Sequence, residues 1–105
     1  MYISTNLKQK NSICEIIKEN IYIFDSFTNV YLFGSILDND FNVGDIDILL
    51  IYTEYTRQVL KDIRCIRMIL EDLTGFFIDL TVLSVEEENE TRFKDKLNSK
   101  LLKLK

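Results

Sequence analysis

The chain has no histidine and no proline, and its 105 residues include only two cysteines and three glycines. Without histidine, the usual general base near neutral pH is missing. Cys14 and Cys65 likewise lack an imidazole partner for metal binding or nucleophilic work. Acid–base chemistry therefore falls to carboxylates and to any metal they hold. The absence of proline, repeats and low-complexity segments points to one domain over residues 1–105, with a modest core. No apolar run reaches the roughly 18 residues needed to span a bilayer, and residues 1–11 are polar, without a signal-peptide core. The expectation is a cytoplasmic domain with no membrane attachment, its cysteines reduced and half-buried in helices. Positive charge is also short: net charge is −4 and the pI is about 4.8. A nucleic acid as bulk ligand is excluded on that ground, because phosphate neutralisation needs a basic face.

What is present is a globular mixture, 47% hydrophobic and 29% charged. Residues 3–24 carry an amphipathic pattern through Leu7, Ile13, Ile17, Ile21 and Phe24, with Ser12 and Glu15 spaced as a capping box for a late start. Residues 55–73 repeat apolar side chains at Val59, Leu60, Ile63, Ile66, Met68, Ile69, Leu70 and Leu73, and Gly75 ends them. Ser84 and Glu87 form a second capping-box pattern, opening a helix from about Val85 whose stripe is Phe93, Leu97, Leu101 and Leu104. That tail is expected to pack on its own sheet or to bind a partner. Strands are expected at 29–33, 45–52 and 76–83. The order helix, strand, strand, helix, strand, helix predicts an α/β (α+β) domain with a small mixed sheet.

Three features of these strands carry chemistry. The first predicted strand stops at Gly34-Ser35, where glycine permits a sharp turn and a close approach to a ligand. Ser35 then offers a hydroxyl and a backbone N–H of the kind found in anion-binding turns. Asp45 and Asp47 begin the next strand and, two residues apart, share a face at about 7 Å. Two carboxylates so close repel unless a cation lies between them, and magnesium prefers carboxylate, phosphate and water oxygens. Asp79 stands in the most apolar run of the chain, where an acid normally has a partner or a task. Placed opposite Asp45 and Asp47, it completes a metal-binding triad.

This order of features over residues 29–83 resembles the DNA polymerase beta nucleotidyltransferase superfamily, and the small size resembles its minimal members, the MNT antitoxins of HEPN/MNT toxin–antitoxin systems. The resemblance implies that Gly34 and Ser35 contact nucleotide phosphates. It implies that Asp45 and Asp47 hold two Mg2+ ions, and that Asp79 holds one of them and helps activate an acceptor hydroxyl. The implied reaction is AMP transfer from ATP to a hydroxyl of a HEPN-type toxin, with homo- or hetero-oligomers in prospect. Residues 36–44 depart from the family pattern, holding Asp38 and Asp40 but no Lys or Arg. Weak affinity for free ATP is expected unless metal or a partner supplies positive charge. The same loop favours the alternative of a non-enzymatic antitoxin that keeps the fold and neutralises a toxin by binding. Other Asp-x-Asp chemistries fit less well. Haloacid-dehalogenase-like phosphatases place the apolar strand before the acids, and an EF-hand needs further ligands where Ile48, Leu49 and Leu50 stand.

Overall fold

The computed structural model describes the backbone of residues 2–37, 44–97 and 100–105, and the side chains of these from residue 11 onward. The predicted loop at 36–44 therefore lies, over 38–43, outside the described residues. Helix α1 (Tyr2–Glu19) leads through a 3-10 turn at Ile21–Phe24 to strand β1 (Asn29–Phe33). A second 3-10 turn, Gly34–Leu37, leaves β1. Strand β2 (Ile46–Tyr52), helix α2 (Arg57–Thr74) and strand β3 (Ile78–Ser84) follow. Helices α3 (Val85–Thr91) and α4 (Phe93–Lys96) and strand β4 (Leu101–Lys103) complete the chain.

The sheet runs β3-β2-β1-β4, with β2 and β3 parallel and β1 antiparallel to both of its neighbours. A parallel pair needs a long crossover, and α2 supplies it. Thr56 caps its start by accepting the Val59 N–H at 3.1 Å. Gly75 ends it in the left-handed region, at φ 75°.

Side-chain alternation divides the sheet into two faces. Val30, Leu32, Ile46, Ile48, Leu50 and Ile78 face α1 and α2 and meet Ile13, Ile17, Val59, Ile66 and Leu70 in the main core. The odd-numbered Tyr31, Leu49 and Ile51 face the other way and are covered by Val85, Phe93 and Leu101. β2 is thus buried on both faces, which accounts for its unbroken apolar run at 48–51.

Four details differ from the sequence expectation. Helix α1 runs continuously through Ser12, so Ser12 and Glu15 do not open it. Asn20 ends it and donates its side-chain amide to the Ile16 carbonyl at 2.8 Å. The apolar face of α2 is narrower than its sequence: Val59, Ile66 and Leu70 are buried, but Leu60, Met68 and Leu73 are exposed. Cys65 stands on that outer side and is exposed, not half-buried.

The tail differs most. Its capping box forms as expected, with Glu87 N–H to Ser84 Oγ and Ser84 N–H to Glu87 Oε1. The helix nevertheless ends at Thr91, where Arg92 turns left-handed at φ 53°. The last residues form β4, with Phe33 opposite Leu101 and Tyr31 opposite Lys103. The 93, 97, 101, 104 spacing suits a helix. A strand, however, also satisfies the backbone groups on the outer side of β1 and still brings Leu101 and Leu104 onto apolar neighbours.

Candidate active site

The register places the predicted acids. Asp47 pairs with Phe33 on one side and with Asp79 on the other, and Phe33 in turn pairs with Leu101. Residues in register share a face. Leu101, Phe33, Asp47 and Asp79 therefore form one row across the sheet, on the face away from α1 and α2. Phe93 of α4 stands edge-on to Phe33, centroids 5.6 Å apart. The aromatic pair closes the row on the β1 side, and the acids occupy its open end. Asp47 is half-buried and Asp79 exposed. Asp45 lies just before β2, also exposed.

Gly34 is held against this row by both conformation and space. Its φ is 80°, where a side chain is strained. A Cβ there would stand 2.5 Å from Asp47 Oδ2. Only glycine lets the turn pass so close to the carboxylate. Ile36, two residues on, is fully buried and pins the turn to the core, while Ser35 is left exposed beside it.

The electrostatics bind the three acids into one unit. Partial burial, then the negative charges of Asp79 and Asp45, then a hydrogen bond with Asp79 raise the Asp47 carboxyl above its ordinary value. Like charges at one site favour protonation of one of them. A divalent cation relieves the same repulsion, and carboxylates are the donor set that magnesium takes. As the side chains stand, no group of three acids, cysteines or histidines among the described residues is spaced to hold an ion. Asp47 is the acid on which the other two converge, Asp79 by charge and a hydrogen bond and Asp45 by charge.

Phe33 and Arg67 were not singled out from the sequence, and Phe93 was read only as part of a helical stripe. Arg67 Nε donates to the Ile78 carbonyl at 3.3 Å, and its guanidinium lies over the Phe77 ring. Both contacts join residues about three helical turns apart in sequence, and no local pattern announces them. A separate hollow of about 340 Å³, lined by residues such as Ser26, Thr28, Thr53 and Val59, contains none of the acids. It lies at the opposite end of β1 and β2 from the carboxylates.

No protein-family model matches the chain, and no curated protein matches its sequence. In structure it is similar to a crystal structure of a "putative nucleotidyltransferase" from Sulfolobus solfataricus. The TM-score is 0.55 and the identity 23%, over 92% of this chain and 84% of that one. The likeness shows the fold: a small α+β domain with a four-stranded mixed sheet flanked by helices, of the nucleotidyltransferase type.

Proposed function

We propose that this chain is a metal-dependent nucleotidyltransferase that moves AMP from ATP to a hydroxyl of a partner protein. The observation that carries the reading is the convergence of Asp47 and Asp79, with Asp45 beside them, against a turn that glycine alone allows. The fold of the Sulfolobus protein supports it. Asp45 and Asp47 would hold two magnesium ions, and Asp79 would share one. Bound there, the ions would stabilise charge on the attacking and leaving oxygens. Gly34 and Ser35 would contact the nucleotide phosphates. The acceptor oxygen bonds to the α-phosphorus, the bond to the bridging oxygen breaks, and pyrophosphate leaves. The acceptor proton passes to the Asp79 carboxylate, which is exposed, and on to water.

The acceptor comes from outside, and the resemblance to MNT antitoxins names a HEPN-type toxin as that partner. Mixing the chain with such a partner, ATP and magnesium, and weighing the partner by mass spectrometry tests this. The expected result is a gain of one AMP that Asp45→Ala and Asp47→Ala abolish. A second reading is a binding-only antitoxin, favoured by the absence of any basic residue over 36–44. It predicts equal neutralisation by the double variant and no gain in mass.

A further inference from the structure

β3 is an edge of the sheet, and its outer side is closed at both ends but open in the middle. The Ile46 N–H donates to the Phe77 carbonyl at 2.9 Å, which fixes the parity of the parallel ladder. Asp79, Thr81 and Leu83 then bond inward to β2, and the N–H and C=O of Ile78, Leu80, Val82 and Ser84 turn outward. At one end, Glu71 accepts the Ile78 N–H at 3.0 Å and Arg67 donates to the Ile78 carbonyl. At the other, Glu87 accepts the Ser84 N–H at 2.9 Å. Between them, the outward groups of Leu80 and Val82 meet no partner among the described residues. Open edges of this kind are templates for an added strand.

We infer that this gap receives the acceptor polypeptide as an extended strand, which sets a hydroxyl side chain beside Asp79. The inference rests on the transfer reading above and specifies how its substrate binds. A strand added at Leu80 and Val82 lies about 4.8 Å out from β3 and continues the row Phe33, Asp47, Asp79 by one position. The residue at that position shares the face of the carboxylates. Its neighbours in sequence point to the α2 side. There Arg64 and Leu60, one and two turns before Arg67 on the same side of α2, are both exposed. The occupant is thus a polypeptide whose hydroxyl residue alternates with acidic and apolar ones. A second copy of β3 fits less well, since its alternate residues Leu80 and Val82 offer Arg64 no acid.

The probe is a capped peptide of about eight residues, with tyrosine and threonine alternating with glutamate and valine. Its control has the same sequence with N-methylated amides. Added to the whole chain without ATP, the peptide is expected to slow amide exchange at Leu80 and Val82 about tenfold. The control should leave both unchanged, and Val82→Pro, which removes an outward N–H, should lose the binding. If both amides are protected but magnesium and ATP never add AMP to the peptide, docking stands and the transfer reading falls. If AMP is added with no change at Leu80 and Val82, and Val82→Pro works as well, docking is overturned and transfer stands. Absence of any protection overturns the docking, as does protection that depends on the concentration of the chain alone, which would assign the edge to a second copy.

Discussion

At the scale of single residues, Asp47 and Gly34 hold the account. Asp47 titrates above its ordinary range because of burial and of Asp79 and Asp45. A raised carboxyl means that the folded state binds more protons than the unfolded one, so stability falls as pH rises through the interval between the two values. Asp47→Asn is therefore expected to raise the thermal midpoint at neutral pH in a chelator. The gain should shrink as pH drops below the ordinary carboxylate range, and a melt series over pH checks both. Gly34→Ala should act oppositely, costing about 1–2 kcal/mol, the usual penalty for a side chain in the left-handed region, and its Cβ would push the Asp47 carboxylate aside. Denaturant melts measure the loss. The common face of Asp45 and Asp47 was legible in the sequence because strand periodicity puts residues i and i+2 on one face, whereas the place of Asp79 depends on the register of β3 against β2. The contact of Gly34 with Asp47 was not legible, since it depends on the register of β1 against β2.

At the scale of elements, the tail decides between two accounts of the same leucines. If β4 is the outer partner of β1, removing residues 101–105 withdraws Leu101 and Leu104 from apolar neighbours and leaves the outer side of β1 unpaired. The expected loss is roughly 2 kcal/mol in urea unfolding, the order of burying one or two apolar side chains. An unchanged unfolding curve would return the tail to a partner-binding role. Ser84→Ala should cost about 1 kcal/mol, a typical cap value, because both arms of its capping box are made. The box was readable at i and i+3. The end of the helix was not, because Arg92 takes a left-handed conformation that glycine or asparagine usually marks. The strands were legible from their apolar β-branched runs, whereas β4 is short and sits inside a helical spacing.

At the scale of the whole molecule, an acidic chain places carboxylates at the open end of its sheet, and the proposed transfer would need cations to offset them. No helix among the described residues is long and apolar enough to cross a membrane. A mixed sheet was within reach of the sequence because a crossover as long as α2 suits a parallel pair, but its order was not, since the residues of β4 read as helix. The capped and open stretches of the β3 edge were not, because Arg67, Glu71 and Glu87 reach it through tertiary contacts. Calorimetry with a non-hydrolysable ATP analogue tests the central claim most directly, on the wild-type chain and Asp47→Ala, with magnesium and with a chelator. The account predicts binding by the wild type in magnesium alone, lost in the chelator and lost in Asp47→Ala while that variant still melts cooperatively. Equal binding by Asp47→Ala, or binding that survives the chelator, would contradict it.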